Sequence, residues 1–189
     1  MKNSKYLLPI ITAGVLVFQS CGNSNSGKTD STEQASQVNE QKDSVDNGVS
    51  DFMVKAAAGG MAEVELGKLA QENGVSQRVK DYGAMMVKDH TKANDELKAL
   101  ASAKNITLPA TLDDQHQKHF EEMKKMKGAD FDKHYMDMMV NDHVETINLF
   151  DDAAKNETDA EIKAFAAKTA PVLKIHLDSA KKINEAVKK

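Results

Sequence analysis

The chain has 189 residues, enough for one ordinary domain, with 40% apolar and 29% charged residues. Its 25 Lys and Arg against 29 Asp and Glu leave a formal charge of -4, and no basic stripe interleaves with aromatics, which excludes a general nucleic-acid binder. The single cysteine, Cys21, excludes intramolecular disulfides and any metal site built from several thiolates, so the core must come from Ala, Leu, Val, Ile and ten Met.

In chain order, Lys2 and Lys5 precede an apolar run over 6–18 that is too short for a bilayer span of about 20 residues. Residues 1–20 therefore read as a secretory signal peptide. The sequence Ser20-Cys21-Gly22 resembles a bacterial lipoprotein signal, although Phe18 and Gln19 depart from its usual residues. That resemblance implies a lipidated Cys21 as the first mature residue, and so a membrane anchor. Acidic residues do not cluster directly after Cys21, which points to an outer-membrane anchor facing the periplasm. Residues 21–49 are rich in Ser, Asn, Gln, Asp and Lys and nearly free of apolar side chains. Burial cannot offset the ordering entropy of such a stretch, so a flexible linker is expected.

Residues 50–188 carry helical periodicity and read as one folded domain. Ser50 can cap a first long helix over 51–73, ended by Asn73-Gly74 with Gly74 in the left-handed region. Ser76 caps a second over 77–104. A loop with Asn105 and Pro109 leads to a short helix over 113–127, closed by Gly128. A third long helix starts at Asp130 and ends near Asn156. Thr158-Asp159-Ala160-Glu161 reads as a capping box opening a fourth, to about Val187.

The two short connections demand antiparallel hairpins, whereas the long one between the second and third helices can run the length of the molecule. The expected fold is all-α, a ferritin-like four-helix bundle with a long crossover that contains a short helix. Tyr82–His90 and Tyr135–His143 share Tyr, Met-Met-Val and Asp-His at an offset of 53, which places the second and third long helices in equivalent environments.

Steps of three and four trace a buried stripe on each long helix. They are Phe52, Ala56, Gly59, Glu63, Leu66 on the first and Val79, Gly83, Met86, His90, Leu97 on the second. The third has Met136, Met139, His143, Ile147, Phe150, and the fourth Phe165, Thr169, Val172, His176, Ala180. Each carries one strongly polar residue near its middle: Glu63, His90, His143 and His176. At 1.5 Å of rise per residue these four fall at similar heights.

A buried polar layer must satisfy itself, and two solutions compete. One is a hydrogen-bonded network using Asp89, Asp142, Tyr82 or Tyr135. The other is one zinc, copper or iron ion held by three imidazoles and a carboxylate. A di-iron centre is disfavoured, because the Glu-x-x-His pattern is broken by Val87 and Leu173. Met85, Met86, Met138 and Met139 read as core filling. His116 and His119, one turn apart on the short helix, suit a weak surface metal, and His134 reads as solvated. Pro171 should kink the fourth helix, with either plain curvature or a cleft beside the polar layer as the outcome.

Four segments carry a resemblance to a known family: Ala62–Ala70, Met86–Asn94, Phe131–Tyr135 and Pro171–Leu177. Together they resemble the bacterial domain of unknown function family 4142, a group of predicted exported proteins. The resemblance implies a ferritin-like fold and an envelope location, and supplies no reaction, cofactor or catalytic residue. The primary expectation is a cell-envelope lipoprotein that binds a metal ion or small ligand at its Glu/His layer. The alternatives are a metal-dependent periplasmic oxidoreductase and a structural or stress-related interaction protein without a ligand.

Overall fold

The computed structural model describes residues 29–189; the expected signal peptide and Cys21 lie outside the described residues. Six helices and no strands make up the described chain: α1 (Ser31–Glu40), α2 (Asn47–Asn73), α3 (Gln77–Ala103), α4 (Asp114–Lys124), α5 (Gly128–Asn156) and α6 (Ala160–Val187). None is long and apolar enough to cross a membrane.

The segment expected to be a flexible linker contains α1. Asp30 caps it, accepting from the Thr32 amide at 2.7 Å, and also accepts from the Asp114 amide at 2.7 Å. Asn39 is fully buried, donating to the Thr107 carbonyl at 2.9 Å and accepting from the Thr107 amide at 2.7 Å. Lys42 donates to the Asn105 carbonyl at 2.8 Å. Composition misses this because Ala35 is the one apolar side chain of α1 that is buried, and polar bonds to a distant loop add to the holding.

Other helix ends also depart from expectation. Helix α2 starts at Asn47, because the Asp46 carboxylate accepts from the Val49 amide at 3.0 Å, while Ser50 is buried inside the helix. Asp159, not Thr158, caps α6 and accepts from the Glu161 and Ile162 amides at 3.0 and 3.1 Å. A carboxylate is the better acceptor at the positive end of a helix. Gly74 is extended (φ -65°, ψ 153°) and not left-handed; an added Cβ there would lie 2.9 Å from Asp132 Oδ1. Ser76 occupies the cap position of α3 without a side-chain bond. Instead the buried Asp132 of α5 accepts from the Val75 and Ser76 amides at 3.2 and 2.8 Å.

The order of contacts along the helices fixes their directions. Gly60 meets Asn94 and Gly67 meets Gly83, so α2 and α3 are antiparallel. Lys174 binds Asp151, and Asn184 binds Asp137, so α5 and α6 are antiparallel too. Across α3 and α6, Lys104 pairs with Asp159, Glu96 with Lys168 and Asp89 with His176, in the same opposed sense. Between α2 and α5, Phe52 meets Phe150 edge to face at 5.1 Å, and Asp132 meets the end of α2. Helices α1 and α4 lie against α2.

Two apolar clusters fill the interior. One includes Phe52, Met53, Leu97, Phe150, Phe165 and Leu173; the other includes Leu66, Met86, Phe131, Tyr135, Met136 and Met139. His90, His143 and His176 each fall in sequence between residues of the two clusters, so a polar level divides the core. On α6 the buried stripe passes through Leu173, whereas Val172 is exposed, contrary to the pattern read from sequence. From Ala166 and Ala170 the 3.6-residue period lands on Leu173 and then His176, leaving Val172 on the flank facing α3. The α6 backbone stays helical through Pro171, which is solvent-exposed.

Candidate metal centre

His90 of α3, His143 of α5 and His176 of α6 converge at the polar level, with 7%, 1% and 1% of their surface exposed. Their ring centroids form a nearly equilateral triangle with sides of 5.9, 5.4 and 5.5 Å. One ring nitrogen from each lies within 4.8 Å of the others. Among the described residues this is the group of His, Cys, Asp and Glu side chains close enough to hold a metal ion.

The outer hydrogen bonds fix two of the tautomers. His143 donates from Nδ1 to the Met139 carbonyl at 2.9 Å, and its Nε2 has no partner. His176 donates from Nε2 to Asp89 Oδ2 at 3.1 Å, and its Nδ1 has no partner. His90 Nε2 is likewise buried without a partner. Imidazoles that ligate metals commonly donate their second N–H to a carbonyl or carboxylate in this way.

The rings are held neutral. Burial, followed by the neighbouring His143 and His176, pushes His90 down to about 3. Burial and then His176 push His143 down to about 4, against the opposing Met139 bond. Burial also lowers His176, with Asp89 pulling the other way. Neutral imidazoles with free lone pairs are what a metal ion requires.

Glu63 stands outside the three-histidine group. Its Oε1 is 3.5 Å from His143 Nδ1, the protonated side of that ring, and its buried Oε2 has no partner. The sequence placed Glu63 at the right height, but the height of a residue does not say which edge of a ring it will meet. Burial, and then Asp142, push its carboxyl well above the usual carboxylate range. Tyr82 and Tyr135 pack beneath, 6.2 Å apart, with both hydroxyls buried and unpartnered; burial and then Glu63 raise both phenols.

Two spaces adjoin the histidines. A cavity of about 20 Å³, lined by Glu63, His90, Asn94, His143, Thr146 and Thr169 among others, has room for one water molecule. A more open groove of about 300 Å³ between α3 and α6 reaches His90 and His176, with Lys168 and Glu96 paired beside it. It passes Thr169 and Val172, next to Pro171, where the sequence left a cleft as one of two outcomes.

The remaining candidates fall elsewhere. Met86 and Met139 are completely buried, with Met85 and Met138 packed against the same apolar cluster. His134 is exposed and bonds the Asp130 carbonyl at 3.0 Å. His116 and His119 line a third space, between α4 and the α2–α5 face.

The family model for a domain of unknown function, DUF4142, matches residues 32–183. The chain belongs to the DUF4142 family. The match takes in nearly all of α1, so the family domain begins within the stretch that composition assigns to a linker. No curated protein and no solved structure matches this DUF4142 chain.

Proposed function

We propose that this DUF4142 chain is a lipid-anchored envelope protein whose helical domain binds one transition-metal ion at His90, His143 and His176. The observation that carries the metal reading is three buried neutral imidazoles, each with an unpartnered nitrogen, two of them oriented by outer acceptors. A purely structural network would have joined those nitrogens to donors. Three imidazole nitrogens with an open fourth position suit zinc, copper or iron. Zinc–nitrogen bonds of about 2.0–2.1 Å put tetrahedral nitrogens about 3.3 Å apart, so the rings need to close by no more than about 1.5 Å. The water-sized cavity beside His90 and His143 is the place for a fourth, exchangeable ligand.

The domain architecture fits a ferritin-like four-helix bundle of α2, α3, α5 and α6. Both α3 and α5 run antiparallel to α6, which makes them parallel to each other, so the segment containing α4 has to act as the long crossover. The anchor reading rests on the sequence around Cys21 alone, and Cys21→Ser tests it: the protein should leave the membrane fraction.

The metal reading is tested by elemental analysis of the full chain purified in detergent, and by the d–d spectrum of the cobalt-loaded form. One tight ion per chain is expected, lost in His90→Gln and His143→Gln. A chain that takes up no ion at this centre after reconstitution leaves the protein with a structural polar layer.

A further inference from the structure

Two polar clasps cross the seam between α3 and α6. Asp89 accepts from His176 Nε2 at 3.1 Å, and Glu96 pairs with Lys168. Along both helices the clasps are about two turns apart, roughly 11 Å. Between them the seam is lined by Ala93, Thr169, Val172 and Leu173, and it opens as the groove of about 300 Å³. Val172 is 39% exposed and stands at the rim. Small-molecule sites run from about 300 to 1,000 Å³, so this groove suits a ligand of few atoms.

The groove leads to the three-histidine centre. His90, Ala93, Thr169 and Leu173 line both the groove and the water-sized cavity, so the two spaces share a wall. His90 and His176 line the groove, and each has a buried ring nitrogen without a partner. Thr169 donates its hydroxyl to the Phe165 carbonyl at 2.8 Å and so offers the groove no free donor. The charged side chains along the groove are Asp89, Lys92, Glu96 and Lys168. Asp89 is engaged by His176, and Glu96 and Lys168 engage each other. Lys92 is exposed and has no ion-pair partner among the described residues. Three neutral imidazoles bring no charge to a divalent ion, so its fourth position favours an anion.

We propose that this groove binds a small aliphatic carboxylate. One carboxylate oxygen fills the water-sized cavity as the ion's fourth ligand, and the short chain lies against Val172 and Leu173. Lys92 gives the entrance its positive sign. The inference rests on the metal reading and extends it to the class of ligand. Glu63 is the internal rival, since it lines the same cavity. Its Oε1, however, faces the protonated Nδ1 of His143 at 3.5 Å, on the side away from that ring's free nitrogen.

The d–d spectrum of the cobalt-loaded full chain in detergent, titrated with acetate and butyrate, tests this. Cobalt uptake, and its loss in His90→Gln, are measured first. Butyrate should shift the spectrum saturably and bind roughly tenfold tighter than acetate, because two more methylenes are buried. Butanol and butylamine should leave the spectrum unchanged. Val172→Glu, at an exposed position, should weaken butyrate about tenfold with cobalt still bound, and Val172→Gln much less. Lys92→Gln should weaken it severalfold. A chain that takes up no cobalt overturns the metal reading and this inference together. Cobalt bound through His90 with a spectrum indifferent to both carboxylates overturns the carboxylate alone. A response that appears only in Glu63→Gln gives the fourth position to Glu63 and does the same. Equal butyrate affinity in Val172→Glu and the wild type shows entry from elsewhere and overturns the groove.

Discussion

His143 donates one ring proton to the carbonyl of its own preceding turn and points its free nitrogen at two other imidazoles. That arrangement has a pH signature in the metal-free protein. His90 and His143 titrate near 3 and 4 when folded, well below the usual value of 6.5, so the unfolded chain binds more protons between those limits. Their contribution to stability is therefore full above about pH 6.5 and falls as pH drops toward 4, by up to about 1.4 kcal/mol per pH unit for each histidine. Glu63 has the opposite sign: its folded carboxyl is raised, so it weakens the fold as pH climbs above its unfolded value of 4.5. Urea unfolding of chelator-treated protein should show both slopes. Glu63→Gln should remove the loss of stability with rising pH and so steepen the rise between about pH 4.5 and 6.5, stabilising the metal-free chain at pH 7 relative to pH 4. The existence of these polar residues was readable from their spacing on apolar stripes. Their roles were not, because Glu63 and His176 look alike in sequence and differ in which ring edge they face.

At the scale of the element, α2 and α3 approach through paired glycines. A Cβ on Gly83 would sit 2.6 Å from the Gly67 carbonyl oxygen, and one on Gly67 would sit 2.7 Å from the Gly83 carbonyl oxygen. Backbone cannot yield as a flexible side chain does, so Gly83→Ala should cost about 1–3 kcal/mol by overpacking. Chemical denaturation would read this as a lower midpoint with an unchanged slope. An unaffected midpoint would mean that the two helices separate freely. The helix ends show the limits of local signals. Ser76 looked like an ordinary cap, but Asp132, 56 residues away, does the capping. The capping box at Thr158 lost to the adjacent Asp159. Local chemistry named the boundary regions correctly and misassigned the acceptors, since an acceptor from another helix leaves no local trace.

Across the whole molecule, a polar level divides two apolar clusters, and α1 is bolted to the loop that follows α3. Asn39 makes both of its bonds to Thr107, so Asn39→Ala should leave that half-buried backbone pair to water, at about 0.5–1.5 kcal/mol for each lost bond. The expected result is faster proteolytic cleavage around 29–46, with the long helices still protected; equal cleavage of both forms would show that α1 is held by other contacts. The sequence by itself determined the all-helical class, the four long amphipathic helices and the three histidines on their buried stripes, because periodicity is a local property of the chain. Only the tertiary structure decided that α1 is ordered, that Glu63 stands behind His143, and that Asp89 and Asp142 open onto different grooves. Those outcomes depend on which helices become neighbours and at what rotation, and neither quantity is encoded in the spacing along a single helix.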